Sequence, residues 1–203
     1  FVSSIAVIAG HSGMLAPDMA YKPIGAYGTS KADGEEALLA IDGLRSIIVR
    51  PPLVYGPEPK GDLGMLLKMC ALPLPLPFGA VENRRSMIGV TNLVDALRFL
   101  TVADVTTAPM ILHASDGRDL SLAELIATIR TGLGRKPNLL NIPPKLLEGA
   151  LRIAGLGSLV DKLIGDSQVD IARLIALGWK PPVEPSFDLN RMTQTFMARK
   201  AMR

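Results

Sequence analysis

The chain has 203 residues, of which 48% are hydrophobic and 20% are charged, a composition typical of a globular protein rather than of a disordered chain. At this length the chain can bury a substantial core. The net charge of +3 is small and is spread along the sequence instead of forming a basic stripe, so we expect no nucleic-acid partner.

The front of the chain shows the alternation of strand and helix that is typical of an α/β protein. The β-branched run 1–8 predicts a strand that is buried on both faces. Good helix formers predict a helix over 26–41, and the apolar run 47–49 predicts a second strand, which Pro51 and Pro52 end. A strand, a helix and a strand with short connections predict a parallel sheet with a right-handed crossover.

The middle of the chain predicts further elements around a proline-rich loop. We expect a helix over 61–71, and an extended loop over 72–79, because alternating prolines exclude both a helix and an internal strand. The sequences RRSMIGV and PMILHAS are strand candidates, and Thr91 is a candidate N-cap for a helix that runs through Leu100.

The last third of the sequence predicts mainly helices. Ser121 and Glu124 have the spacing of a capping box, which opens a helix over 122–131. Further helices are expected at 144–154, at 169–177 and from Ser186 onwards.

The sequence predicts neither a membrane span nor a metal site. Charged side chains interrupt the apolar stretch 146–164, so we do not expect it to cross a bilayer. The single cysteine, Cys70, has no second thiol with which to form a disulfide or share a metal ion, and His11 and His113 are interpreted as packing or loop residues. This cysteine usage predicts a reducing compartment, the cytoplasm.

The stretch GAYGTSKADGEEALLA places Tyr27 four residues before Lys31 at the start of a predicted helix. This spacing puts both side chains on one helix face. A nearby ammonium group stabilises a phenolate and pulls the pKa of a tyrosine down from about 10. Such a pair can take the proton of a sugar or alcohol hydroxyl as a hydride leaves the carbon, although a tyrosine and a lysine at this spacing also occur by chance.

Four sequence blocks surround and include this pair, in the order VSSIAV, YGTSK, VRPPLVYGP and RRSMIGVTNLVDAL. In this order they resemble the extended short-chain dehydrogenase/reductases of the NAD-dependent epimerase/dehydratase family, most of all its nucleotide-sugar 4-epimerases and 4-keto reductases. The resemblance covers nearly the whole chain. It implies that 1–105 are the C-terminal half of a Rossmann-like parallel sheet domain, that 58–88 contribute to the substrate region, and that 106–203 form a smaller, mostly helical substrate-binding domain.

The resemblance also implies catalytic roles. Ser4 matches the serine that hydrogen-bonds the reacting hydroxyl, and Tyr27 matches the general acid/base. Lys31 matches the lysine that holds the nicotinamide ribose and lowers the pKa of the tyrosine. The alternative for Ser4 is an ordinary hydroxyl at a strand end.

Four more residues are matched to cofactor or substrate contacts. Pro51, Pro52 and Leu53 lie where the family's backbone passes along the nicotinamide, although some epimerases carry an asparagine in place of Leu53. Arg85 matches an arginine that contacts the substrate diphosphate, a role that suits its planar donor fork. The alternative for Arg85 is a solvated pair with Arg84.

The Gly-rich turn with which the family binds the pyrophosphate of its dinucleotide is not found in this sequence. GHSG at Gly10 and GLGS at Gly155 lack the required context and predict loops. The chain also begins at Phe1 directly on a predicted strand. We therefore expect a fragment or a processed chain that, by itself, binds NAD poorly and is inactive.

The function implied by the resemblance is hydride transfer at C4 of a nucleotide-diphosphate sugar, with NAD or NADP as cofactor and with epimerisation and reduction both open. Dehydration is excluded, because Ile5 and Ala6 occupy the positions of the Asp-Glu pair of the sugar 4,6-dehydratases. The alternatives are a non-catalytic or partner-completed member of the same fold, and a membrane-surface module built on the helices around 146–164 and the basic tail. A second copy of the chain, in a homodimer, is a further candidate partner.

Overall fold

The computed structural model describes residues 1–103, 109–153 and 164–202. The strands, numbered in chain order, are β1 (Met14–Leu15), β2 (Ile47–Arg50), β3 (Leu53–Tyr55), β4 (Met87–Gly89), β5 (Met110–His113) and β6 (Gln168–Val169). The helices are α1 (Gly25–Leu39), α2 (Gly61–Cys70), α3 (Val90–Val102), α4 (Leu122–Gly132), α5 (Pro144–Ile153), α6 (Ala172–Ala176) and α7 (Pro185–Ala201). The predicted α/β class is confirmed.

The chain divides into two compact units, each made of three separated segments. Unit 1 contains Phe1–Val54, Ser86–Arg118 and Ser167–Glu184. Unit 2 contains Tyr55–Arg85, Asp119–Asp166 and Pro185–Arg203. Unit 1 carries the parallel strand pairs, whereas the described residues of unit 2 are mainly helix and loop. The domain boundary predicted after residue 105 stays a prediction.

The parallel sheet predicted for the front of the chain is confirmed in unit 1. β2 and β5 pair in parallel, ending with Arg50 opposite His113. Val2 forms a parallel bridge with Val49 of β2, and α1 lies in the crossover between these two residues. β1 and β6 form a second parallel pair.

The strand predicted over 1–8 is wrong beyond its first residues. Val2 bridges β2, but Ile5–Val7 form a 3-10 turn. The first N–H of this turn still donates to Pro51 O at 3.1 Å. Because Pro51 and Pro52 have no backbone N–H of their own, the strand ladder ends there.

Helix α3 is capped from a distant part of unit 1. The predicted N-cap Thr91 is wrong, since it lies inside the helix and Gly89 occupies the cap position. The Asp116 carboxylate takes over this role: its two oxygens accept from Gly89 N at 3.0 and 3.2 Å, and Oδ1 also accepts from the Asn92 amide at 2.7 Å. A negative charge here also complements the positive end of the helix dipole.

The apolar face of α3 supplies much of the core of unit 1. Full burial of one large aliphatic or aromatic side chain contributes roughly 1.5–3 kcal/mol. The buried members of this cluster are Val49, Ile88, Leu93, Ala96, Leu100, Leu112, Ala114, Leu174 and Trp179.

The capping box predicted for unit 2 is confirmed at the start of α4. Ser121 Oγ accepts from Glu124 N at 3.1 Å, and the Glu124 carboxylate accepts from Ser121 N at 2.8 Å. α4 packs against α2 and α7. The segment 72–79 is loop, as predicted, with a bridge from Leu76 to Leu139.

The helix predicted over 169–177 is wrong at its start. Gln168–Val169 form β6 instead, and the helix there is limited to Ala172–Ala176. The backbone N–H of Val169 donates to Ser86 Oγ at 3.0 Å, which holds this residue in an extended conformation.

The remaining helix predictions agree with the structure. The helices expected over 26–41, 61–71 and 144–154 and from Ser186 are confirmed as α1, α2, α5 and α7. The predicted GLGS loop, together with Ala154 and Arg203, lies outside the described residues. Within the described ranges, no helix combines the length and the apolar character needed to cross a bilayer.

Candidate active site

Tyr27 and Lys31 lie on one face of α1, as their spacing predicts. Lys31 Nζ is 6.0 Å from the centre of the Tyr27 ring. Tyr27 stands in the first turn of α1 and is 61% exposed, so its phenol oxygen can be reached from solvent. The helix therefore presents a phenol and an ammonium group side by side at an accessible position.

Ser4 lies on the 3-10 turn that packs against α1. Its Oγ accepts a hydrogen bond from Ala6 N at 3.2 Å, which leaves the hydroxyl hydrogen of Ser4 to be donated. The turn is tied to the segment before α1, because Ile24 N donates to Ala6 O at 3.2 Å and Lys22 N donates to Val7 O at 2.9 Å. This backbone network fixes the turn of Ser4 against the start of α1.

Gly28 allows α1 to approach this turn closely. A Cβ atom at residue 28 would lie 2.7 Å from Ala6 O, closer than real Cβ atoms come to a neighbouring oxygen. Gly28, Ala32 and Glu35 are the buried residues of α1. The face that α1 turns toward the protein thus consists of two small residues and one carboxylate.

We expect Gly28→Ala to lower the free energy of unfolding by about 1–3 kcal/mol, because the added methyl group must push α1 away from Ala6 O. Gly149→Ala in α5 is a matched control, since a Cβ there meets no atom of the described residues within 4 Å and should add about 0.5–1 kcal/mol. Urea titration measures both changes. A Gly28→Ala variant as stable as the parent would contradict the close approach.

The Lys31 side chain is anchored by the first residues of the chain. Nζ donates to Val2 O at 3.0 Å and lies 5.2 Å from the centre of the Phe1 ring. An ammonium group has three N–H donors, and the hydrogen bond to Val2 uses one of them. Lys31 is therefore held in place while it keeps donors for hydroxyl groups of a ligand.

The residues after β2 lie beside the turn of Ser4. Pro51 and Pro52 are buried, and Pro51 O accepts the hydrogen bond from Ile5 N. Leu53 is 42% exposed. This stretch therefore combines a rigid, buried backbone with an accessible apolar side chain.

Arg85 belongs to unit 2, where it is partly buried. Its Nη1 donates to Gly165 O at 3.0 Å, and its backbone pairs with Leu120. Burial lowers the pKa of the Arg85 guanidinium, an effect that the nearby Asp166 partly offsets. Arg85 is thus not simply solvated, and its contact with a substrate diphosphate stays a prediction.

Known proteins similar to the chain include sugar 4-epimerases. The chain is 33% identical to a UDP-glucose 4-epimerase of Vibrio cholerae over 177 residues, which cover 84% of this chain and 53% of that protein. The relatives that the chain resembles in this way are sugar epimerases of the NAD-dependent epimerase/dehydratase family. A second relative is the N-acetyl-alpha-D-glucosaminyl-diphospho-ditrans,octacis-undecaprenol 4-epimerase of Escherichia coli O157:H7, with 26% identity over 211 residues, 96% of this chain and 63% of that protein.

Solved structures of sugar-nucleotide enzymes have a similar fold. The structure of a UDP-glucuronic acid 4-epimerase from Bacillus cereus in complex with NAD has a TM-score of 0.73 and 17% identity, covering 98% of this chain and 60% of that one. At this identity the likeness concerns the fold alone, and it confirms the predicted Rossmann-like architecture. No protein-family model matches the chain. The chain spans about half the length of the Vibrio cholerae relative, 53%.

The chain also contains a buried ionic cluster that the sequence analysis did not predict. Glu35 and Arg50 form a bidentate ion pair, with Nε 2.9 Å from Oε1 and Nη2 2.5 Å from Oε2, and neither side chain is more than 1% exposed. Tyr21 OH donates to Glu35 Oε2 at 3.0 Å. Burial, followed by the charge of Glu35, raises the pKa of Tyr21 to about 12. The sequence does contain a signal for this cluster: Arg50 ends the apolar run IIVR, and an arginine in a buried strand needs a buried acceptor.

His113 lies next to this cluster, as the register partner of Arg50. Its side chain is fully buried, and among the described residues its ring nitrogens find no hydrogen bond of normal geometry. Burial, followed by repulsion from Arg50, lowers the pKa of His113 to about 4. The backbone groups of Leu15 and Asp170 and the negative charge of Asp170 offset only part of this shift. His113 is therefore neutral in the folded protein at pH 7.

We expect His113 to make the stability of the protein depend on pH. Its pKa is about 4 in the folded state, whereas an unperturbed histidine has a pKa of 6.5, so the unfolded chain binds the extra proton between these pH values. The free energy of unfolding therefore falls as the pH is lowered from about 6.5 to about 4, by roughly 3 kcal/mol. Urea titrations across this range should show a smaller fall for His113→Asn than for the parent or for His11→Asn. Equal pH dependence in all three proteins would contradict the assignment.

Proposed function

We propose that this chain carries the proton-transfer machinery of a NAD(P)-dependent nucleotide-sugar 4-epimerase, with Tyr27 as general acid/base. The observation that carries the proposal is the exposed Tyr27 phenol with Lys31 Nζ 6.0 Å from its ring, beside the turn that holds Ser4. The similarity to two sugar 4-epimerases favours epimerisation over reduction as the reaction.

In this proposal Tyr27, Lys31 and Ser4 have different roles at the C4 hydroxyl of the sugar. Tyr27 takes the proton of the sugar C4 hydroxyl at its phenol oxygen and returns it to the same oxygen later. Lys31 stabilises the negative charge on the phenolate. Ser4 donates its free hydroxyl hydrogen to the sugar oxygen and orients it. A bound dinucleotide supplies the hydride acceptor.

Several residues of unit 1 are chemically suited to hold a dinucleotide. Lys31 keeps N–H donors for ribose hydroxyls, and Pro51, Pro52 and the accessible Leu53 offer rigid backbone and an apolar contact for a flat ring. Arg85, in unit 2, is proposed to contact the diphosphate of the sugar nucleotide with the donors that Gly165 does not use.

The test uses the complete product of the reading frame that encodes this chain, with the chain alone in parallel. We expect the complete product to interconvert UDP-glucose and its 4-epimer in the presence of catalytic NAD, and the chain alone to be inactive. A 4-keto reductase would instead consume one NAD(P)H for each keto sugar. A complete product that neither binds NAD nor turns over sugar nucleotides would support the non-catalytic or partner-completed alternative.

A further inference from the structure

We propose that the buried Glu35–Arg50 ion pair is a positioning device, which sets Tyr27 and Lys31 relative to the strand end at Pro51. This inference rests on the proposed function. Glu35 follows Lys31 by one helical turn and Tyr27 by about two on α1, while Arg50 is the last residue of β2 and directly precedes Pro51. The pair thus joins the helix of the proposed acid/base to the segment proposed to lie along the nicotinamide.

Apolar packing does not fix the rotation of α1. The buried residues of this helix are Gly28, Ala32 and Glu35, so no large apolar side chain on it is fully buried. Hydrophobic contact is non-directional, and a face of two small residues offers few side-chain contacts that could select one rotation of the helix. A bidentate contact between a guanidinium fork and a carboxylate has one good geometry, and therefore specifies both the distance and the angle.

The same cluster also holds the loop that leads into α1. Arg50 Nη1 donates to Pro17 O at 3.0 Å, Tyr21 OH donates to Glu35, and the Arg50 guanidinium carbon lies 5.4 Å from the centre of the Tyr21 ring. Strand, loop and helix therefore meet at one arginine. A change at this arginine is transmitted to the first turn of α1, where Tyr27 stands.

A positioning role predicts a particular kinetic effect. Displacement of a catalytic group by about 1 Å can cost on the order of 10²-fold in rate. The displaced groups would be Tyr27 and Lys31, proposed to act on the reacting hydroxyl, whereas Arg85, proposed to contact the substrate diphosphate, is held by its hydrogen bond to Gly165 in unit 2. The loss should therefore appear in kcat, with a much smaller change in KM for the sugar nucleotide.

The experiment compares Glu35→Gln and Arg50→Lys in the complete product of the reading frame. Glu35→Gln keeps the shape of the side chain but removes its charge, and Arg50→Lys keeps the charge but not the planar fork. Because each variant keeps one property of the buried pair, we expect at least one of them to fold. Leu174→Ala, a fully buried residue in the separate apolar cluster of α3, is the control for destabilisation alone. Activity is expressed per folded molecule, and ring resonances of ¹³C-labelled tyrosine report the surroundings of Tyr27 without turnover.

We expect kcat to fall about 10²-fold in Arg50→Lys, which loses the bidentate fork, and less in Glu35→Gln, which keeps the shape, with the Tyr27 resonance shifted in both and unchanged in Leu174→Ala. Parent-like kcat and Tyr27 resonances in the folded variants would overturn the positioning role and leave the proposed function intact. A parent protein without turnover would instead overturn the proposed function, and the Tyr27 resonance would then decide the positioning role alone.

Discussion

Tyr27→Phe is expected to lower kcat for sugar 4-epimerisation by about 10²- to 10⁴-fold, the range that loss of a positioned general acid/base costs. Only the phenol oxygen is removed. Because Tyr27 is 61% exposed, its loss should change the free energy of unfolding by no more than about 0.5 kcal/mol. Steady-state kinetics of the complete reading-frame product and urea titration measure the two quantities separately.

Thr29→Val is the matched control, since it removes a hydroxyl from another exposed position of α1, two residues away. The Thr29 hydroxyl bonds only locally, to Gly25 O at 3.3 Å, so the variant should keep parental kcat. Parental turnover in Tyr27→Phe would remove Tyr27 from the reaction. A Tyr27→Phe variant that loses stability as well as activity would point to a structural role instead.

Arg50→Met is expected to lower the free energy of unfolding by about 3–5 kcal/mol, the largest change in stability that we predict. The substitution leaves the Glu35 carboxylate fully buried without its cationic partner. The hydrogen bond from Tyr21 remains, but a single neutral donor does not compensate a buried charge. Urea titration at pH 7 gives the difference directly.

Two further variants distinguish the cost of leaving a buried charge unpaired from the cost of losing an ordinary ion pair. Adding Glu35→Gln to Arg50→Met should recover part of the lost stability, because the uncompensated charge is then gone. Arg173→Met breaks the exposed contact with Asp18, at 3.4 Å, and should cost less than about 1 kcal/mol. Equal losses in Arg50→Met and Arg173→Met would show that burial of the pair does not matter.

Local patterns in the sequence were sufficient to predict most of the helices. The capping box of Ser121 and Glu124 depends on groups three residues apart, and the spacing of Tyr27 and Lys31 depends on one helical turn. Such features involve only neighbours in the chain, so they can be recognised before the fold is known. They led correctly to the helix of the candidate site and to a paired phenol and ammonium group.

Predictions failed where a distant residue decides the local structure. The run at 1–8 has strand composition, but its partner strand ends at Pro51 and Pro52, and the chain turns. Thr91 has a side chain that can cap a helix, but the Asp116 carboxylate already accepts from Gly89 N at the N-terminus of α3. In both cases the deciding group lies more than twenty residues away in the sequence.

The sequence by itself determined the α/β class, the helices and the chemical identity of the Tyr27–Lys31 pair, because these follow from composition and from contacts within one or two turns. Only the tertiary structure decided which ionisable groups are buried behind α1. The carboxylate of Glu35, the guanidinium of Arg50 and the imidazole of His113 come from three separate segments: Glu35 pairs with Arg50, and the parallel pairing of β2 with β5 places His113 beside Arg50. A buried charge is stable only beside its partner, and the fold alone supplies that partner.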